Sequence, residues 1–295
     1  MDRFDKIDMA DTSSVVEAPV AHLIHTYRHQ CSTVELPPGL GDFLRGSIAL
    51  FQHCQRRNIR YTVDFSQHSL GQCIQAAQDQ KMSDDKPLEY FNCGQPALRD
   101  FIDKIGPKTT SMVTSNVPPE AATSYECRQF LRKSLAFTPQ FQQTVDDMMK
   151  RLNLVGVDYA VFHLRAGDHQ ADFENLNSGK QIFNPGHTQV LLQCIKDLIQ
   201  LRFGNNVLII SDNQKLANHL ATLANCKVTA ITPVHLGRTT NGQAAADSLM
   251  EFALMANSRK VYSYSVYDWP SGFAHWCCEI FNVSFEQVLL GFKLH

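Results

Sequence analysis

Val161-Phe162-His163-Leu164-Arg165-Ala166-Gly167-Asp168 runs from an apolar strand into a group of polar side chains, and the fold class turns on how it is read. Tyr159 to Phe162 have the aromatic and β-branched character of a buried strand. His163, Arg165 and Asp168 then supply a titratable ring, a rigid fork of cationic donors and a carboxylate. Open α/β sheets collect ligands outside the carboxyl ends of their strands, where Arg grips phosphate oxygens through two parallel N–H bonds. The competing reading is an ion pair between Arg165 and Asp168 at a turn.

Downstream the pattern alternates. A strand over 158–164 and a loop over 165–186 lead to a helix over 187–202. A strand at Val207-Leu208-Ile209-Ile210, a helix over 213–223 and a strand over 228–231 follow. Strands joined by helical crossovers imply a parallel sheet. Asp212 sits at the end of a wholly apolar strand, placed either to meet a ligand or to cap the next helix. A loop over 236–243 precedes a buried helix from Asp247 to Met255, whose methionines read as core. Lys260 to Ser265 is a strand with hydroxyls at its tip, and Ser271 opens a helix whose free amides make a second phosphate cradle.

The N-terminal half opens with a strand at Leu23 to Tyr27, after about 20 polar and acidic residues to which no function is given. Histidines at 22, 25 and 29 would align for a metal only on a helix, and the Thr and Tyr content favours a strand. A strand at Thr33 to Leu36, the turn Pro37-Pro38-Gly39-Leu40-Gly41-Asp42 and a helix to Cys54 come next, then a strand at Ile59 to Asp64. Gly39 and Gly41 permit positive φ and close approach of a ligand, or else only let helix and sheet pack. Asp42 falls in the first helical turn on the ligand-facing rim, or serves as an N-cap. The spacing lacks the full G-x-G-x-x-G fingerprint and its acidic ribose partner, so an NAD site and an NAD-linked oxidoreductase are not expected. Residues 66–120 give no chemistry. Helices at Cys127 to Lys133 and at Pro139 to Leu152, the second with Thr138 as its cap, close the half. The expected domains are 1–150 and 151–295.

Composition narrows the classes. The 295 residues are 44% hydrophobic and 19% charged with a formal net charge of -2, which leaves no basic field for nucleic acid. No run of 18 apolar residues occurs and the N-terminus lacks a signal-peptide layout, so a soluble, cytoplasmic chain is expected. Nine scattered cysteines without a C-x-x-C pair indicate neither a disulfide framework nor a zinc site. Cys277 and Cys278 read as small hydrophobes in a helix.

Four motifs together resemble the fucosyltransferase-like superfamily of glycosyltransferases. His-x-Arg-x-Gly-Asp at 163–168 is similar to its His-x-Arg-Arg-x-Asp signature. Asp247 to Met255 resembles its Asp-x-x-x-Leu-Ser helix, and Tyr262-Ser263-Tyr264-Ser265 its phosphate turn. The glycine turn at 39–46 is similar to the one that opens the N-terminal domain of the group.

The resemblance implies an α/β GT-B fold, two Rossmann-like domains facing a cleft, with the nucleotide on the C-terminal one. It implies an inverting transfer to a glycan hydroxyl with no metal and no cofactor, the nucleotide sugar being a co-substrate. Arg165 would bind the β-phosphate, His163 and Asp247 the ribose and base, and Ser263 and Ser265 the pyrophosphate. Gly39, Gly41, Asp212 and Ser271 complete the expected donor site. The base that takes the acceptor proton would be Asp42, which is favoured, or a carboxylate after the arginine motif, Asp172 or Glu174. GDP-fucose is the favoured donor, but Ala166 stands where many relatives carry a second arginine, which leaves other nucleotide sugars open. A nucleotide- or glycan-binding module of the same fold without turnover is the alternative.

Overall fold

The computed structural model describes residues 20–29, 38–78, 88–92, 95–166, 185–203, 206–231, 234, 236–237, 241–265, 267 and 269–289. In the N-terminal half, β1 (His22–Thr26), β2 (Arg60–Asp64), β3 (Leu88–Phe91) and β4 (Thr110–Ser115) form a sheet in the order β2-β1-β4-β3, every pair parallel. Helices α1 (Leu40–Arg57), α2 (Gln75–Gln78) and α3 (Gln95–Asp103) lie between these strands in the chain. The pairs α4 (Tyr125–Ser134) and α5 (Pro139–Arg151) then lead to the second sheet.

That sheet contains β5 (Ala160–Arg165), β6 (Val207–Ser211), β7 (Lys227–Val228), β8 (Lys260–Ser265) and β9 (Ser284–Gln287), again all parallel, in the order β7-β6-β5-β8-β9. Helices α6 (Pro185–Arg202), α7 (Gln214–Ala224), α8 (Gly242–Ala256) and α9 (Gly272–Phe281) provide the crossovers. The chain winds outward from β5 to β7, then returns to β8 on the other side of β5. The strand order therefore reverses between β5 and β8, where a doubly wound sheet opens a crevice. All five residues of β6 are buried, as a strand covered on both faces requires.

Local chemistry sets the helix ends. Ser124 accepts the Cys127 amide as N-cap of α4; at α5 Thr138 accepts the Phe141 amide as N-cap and Pro139 opens the helix, as the sequence predicts for α5. Asn58, Asn225 and Asn282 take left-handed conformations that end α1, α7 and α9. One apolar core runs from Phe43, Leu44 and Phe65 through Cys127 and Leu131 to Leu249, Phe252, Ala274 and Cys277, so the two halves share buried surface. Arg132 on α4 donates to the Ile280 carbonyl at 2.8 Å, and Arg128 pairs with Glu279 at 2.7 Å.

Several sequence expectations change. Among its described residues the region 66–120 holds the strands β3 and β4 and the helices α2 and α3; β3 is short, and the Thr- and Ser-containing β4 offers little apolar periodicity. β9 went unread, and the strand expected over 228–231 shrinks to two residues. The loop expected through Gln243 ends at Asn241, whose side chain caps α8. The strand expected at Thr33 to Leu36 lies outside the described residues; the central strand before α1 is β1. Cys277, Cys278, Met250 and Met255 are buried as expected, and no helix among the described residues is long and apolar enough to cross a membrane.

Candidate functional site

Arg165 ends β5 at the reversal point, in register with Ser265 at the end of β8. Its guanidinium carbon lies 5.0 Å from the Tyr267 ring centroid, and Tyr267 in turn stacks on Trp269 at 5.2 Å and 15°. Trp269 is 58% exposed, so the tiers run from the strand end to solvent. A cation over an aromatic face is held in orientation without losing its donors. Ser265 accepts the Tyr267 amide at 3.1 Å, which fixes the turn after β8.

Two residues inward, His163 is buried and its Nδ1 lies 3.2 Å from the Ser263 hydroxyl. Burial first, and then the neighbouring Arg165 charge, lower its pKa to about 4. At neutral pH the ring is uncharged. Ser263, expected at the pyrophosphate, is 1% exposed and its hydroxyl meets His163; of the two serines, Ser265 is the more exposed.

Asp212 accepts the Ala166 amide at 2.7 Å and so ties the residue after β5 to the end of β6. It does not cap α7, because Asn213 fills that position and accepts the Leu216 amide. Asp247 lies on α8 and accepts from Gln243 at 2.8 Å. One turn on, Glu251 is fully enclosed and accepts from the Thr229 hydroxyl at 3.0 Å. Burial, aided by the charges of Asp212 and Asp247, raises its pKa to about 8 even though the Thr229 bond opposes the shift.

A stability prediction follows. Between the ordinary carboxylate range and about pH 8, folded Glu251 keeps a proton that the unfolded chain has lost. Its contribution to stability is therefore full below that window and drains away as pH rises, by about 1.4 kcal/mol per pH unit at most. Glu251→Gln keeps an oxygen for Thr229 and removes the charge. Its melting temperature should exceed that of the parent by several degrees at pH 9, with the gap closing towards pH 5; a gap independent of pH would contradict the buried acid.

The N-terminus of α9 lies against the first turn of α1. A β-carbon built on Gly41 would sit 2.3 Å from the Gly272 carbonyl carbon and 2.4 Å from the Phe273 nitrogen. Neither Gly39 nor Gly41 uses the positive φ that the sequence leaves open. Gly39 is the N-cap residue with φ -61°, Gly41 is helical, and the close approach Gly41 permits is helix to helix. Ser271 occupies the N-cap position of α9, buried and without a side-chain capping bond.

Asp42 is no cap either. It lies in the first turn of α1, 48% exposed, with Arg45 at 3.4 Å and with Oδ1 3.8 Å from the point where a β-carbon on Gly272 would stand. Arg45 also donates to the Asn116 carbonyl at 2.7 Å, beyond the end of β4. A carboxylate of the N-terminal half thus stands beside the amides that open α9. Asp168, Asp172 and Glu174 lie outside the described residues.

The seam has a second tie. His68 Nε2 donates to the Leu236 carbonyl at 2.8 Å, while its Nδ1 accepts the Leu70 amide. Residues that follow the carboxyl ends of β1 and β2 thus meet residues that follow β7 and β8. The structure brings Arg165, Ser265, His163 and Asp212 to one edge and Asp42 to the seam between the halves.

Sequence reading missed Glu251, Arg45 and the Tyr267–Trp269 stack. A lone acid inside Leu249-Met250-Glu251-Phe252-Ala253-Leu254 was a signal, since such a charge must be solvated, paired or protonated. Histidines 22 and 25 lie on β1, and His25 is enclosed; burial drives its pKa to about 3 despite its bond to the Ser115 amide. Among the described residues, no group of three His, Cys, Asp or Glu is arranged to hold a metal ion.

No protein-family model and no curated protein matches the chain in sequence. Solved structures do match in fold. The fucosyltransferase NodZ from Bradyrhizobium superposes with a TM-score of 0.54 at 11% identity, over 88% of this chain and 91% of that one. NodZ alpha-1,6-fucosyltransferase soaked with GDP-fucose gives 0.54 at 13% identity, over 88% and 92%. The form co-crystallized with GDP gives 0.51 at 11%, over 88% and 91%. Two parallel α/β sheets, joined as in these fucosyltransferases, give the chain a GT-B-like fold.

Proposed function

We propose that the protein is a metal-independent inverting glycosyltransferase of fucosyltransferase type, moving a sugar from a nucleotide sugar, GDP-fucose in preference, to a glycan hydroxyl. The observation that carries this reading is Arg165 beside Ser265 at the strand reversal of the C-terminal sheet, in a chain with the NodZ fold. NodZ has been soaked with GDP-fucose, which supports the choice of donor.

In the proposed reaction the acceptor oxygen attacks the anomeric carbon, the bond from that carbon to the diphosphate oxygen breaks, and the nucleoside diphosphate leaves. Charge grows on the leaving group, so donors fixed beforehand lower the barrier most. Arg165 supplies such donors at the β-phosphate, its orientation kept by Tyr267. Asp42 takes the proton of the acceptor hydroxyl, and its place at the seam supports that role. Neutral His163 and Asp247 serve the ribose and base, while Asp212 holds Ala166, the residue after β5, by its bond to the amide.

The test is a panel of nucleotide sugars incubated with the protein and candidate glycans in EDTA, following release of nucleoside diphosphate. GDP-fucose should give the fastest release, and GDP, rather than UDP or NAD, should raise the melting temperature. Absence of release with every donor after acceptor screening would end the enzyme reading. The alternative is a binding module without turnover, and the observation that favours it is Ala166 in place of a second cation.

A further inference from the structure

The carboxyl edge of the N-terminal sheet carries a cluster that the donor chemistry leaves unused. Thr26 and Asp64 pair in register at the ends of β1 and β2, and both are completely buried. Two residues beyond each lie Arg28 and Ser66, partly exposed. Thr26 Oγ1, Arg28 Nε, Asp64 Oδ2 and Ser66 Oγ are all shielded atoms without a hydrogen-bond partner among the described residues. Among the described residues Asp64 uses only Oδ1, which accepts the Ser66 amide at 2.8 Å.

Shielded polar atoms are nearly always paired, because each one left unpaired forfeits the hydrogen bonds it had in water. Four of them on two adjacent strand ends mark a site shaped for a ligand. Its floor is Thr26 and Asp64, and its mouth is Arg28 and Ser66, the residues that reach the surface.

The donor and acceptor pattern selects the ligand. The carboxylate opposes an anion, the guanidinium opposes a cation, and two hydroxyls both give and accept. A neutral molecule whose groups each donate and accept satisfies all four, which is the chemistry of sugar hydroxyls. The edge faces the other half of the protein, since His68, four residues after Asp64, bonds to Leu236. We infer that Thr26, Arg28, Asp64 and Ser66 form the subsite that holds hydroxyls of a neutral acceptor sugar. This rests on the transferase reading for its place in the reaction, but its ligand chemistry stands on the four atoms alone.

The test measures glycan and nucleotide binding separately on the full chain. A panel of neutral oligosaccharides is screened by direct binding, and GDP is followed by thermal shift, for the parent, Thr26→Val and Asp64→Asn. Thr26→Val removes an unpaired buried hydroxyl at constant shape, so the free protein should melt at the same temperature or higher. Oligosaccharide affinity should nonetheless fall about tenfold in Thr26→Val and by tenfold to a hundredfold in Asp64→Asn, with the GDP shift unchanged.

Undiminished binding in both variants, or a parent that binds no oligosaccharide, overturns the subsite. Oligosaccharide binding that the variants lose, in a protein that neither binds GDP nor releases it, overturns the transferase reading and leaves the subsite standing.

Discussion

Arg165→Ala should cut stabilisation by GDP by about half or more while leaving the free protein almost as stable as the parent. The guanidinium is partly exposed and its described partner is the Tyr267 ring, a contact worth about 0.5–1 kcal/mol. Losing it should lower the melting temperature by no more than about 4 °C in a chain of this size. The ligand effect is far larger. At a GDP concentration a hundred times Kd, binding stabilises the parent by about 2.7 kcal/mol. Removing a charged hydrogen bond worth about 1.5–3 kcal/mol weakens Kd by roughly tenfold to 150-fold. At the upper end, the same GDP concentration would stabilise the variant by only about 0.3 kcal/mol.

Turnover should fall with affinity or beyond it, by roughly tenfold to several hundredfold, because the leaving diphosphate carries more charge in the transition state than in the ground state. Arg165→Lys, which keeps the charge and loses the fork, should fall between the two. Differential scanning with and without GDP reads all three proteins. A free Arg165→Ala protein that melts more than about 10 °C lower would instead make the arginine a structural ion-pair partner.

The parts of this site that were legible in the sequence are those that depend on neighbours in the chain. Strands β5 and β6 are continuous apolar runs, and an arginine at the end of one is visible without knowing what packs around it. The alternation of strands and helices announces a parallel sheet, but the reversal that makes the β5–β8 crevice depends on strand order, which no single run of residues spells out. The N-terminal sheet was harder to read because β3 is a four-residue edge strand and β4 places hydroxyls where an alternating pattern would place apolar groups.

What stayed hidden depends on contacts between distant segments. Asp212 looked equally like a cap and a ligand, and the Ala166 amide that it holds comes from the end of another strand. Thr26 and Asp64 are unremarkable until parallel pairing sets them side by side. Glu251 was passed over inside a helix judged as core, although it is the residue whose burial most changes its acidity among the described carboxylates.

Gly41→Ala should destabilise the protein, against the usual sign for this substitution. In a helix, replacing Gly by Ala ordinarily stabilises by about 1 kcal/mol. Here the added methyl would fall 2.3 Å from the Gly272 carbonyl carbon, 2.4 Å from the Phe273 nitrogen and 2.6 Å from the Gly272 oxygen. All three are backbone atoms of the first turn of α9, so no side chain can swing aside. The helices must part by about 1 Å, at an overpacking cost of about 1–3 kcal/mol or more. The shared core of Phe43, Leu44, Phe252, Ala274 and Cys277 would open with them. A fall in melting temperature of about 5–10 °C is expected.

Activity should fall further than stability accounts for, since Asp42 follows Gly41 directly and its position beside Gly272 depends on the same seam. Gly106→Ala is the control: its methyl would meet only Thr109 Oγ1, at 3.6 Å, and the melting temperature should barely move. Urea and thermal unfolding of both variants decide the matter. Stabilisation of Gly41→Ala, as helix propensity alone requires, would show that α1 and α9 do not meet through this glycine. The turn at 39–46 would then return to the role first expected of it, a loop shaped for a ligand.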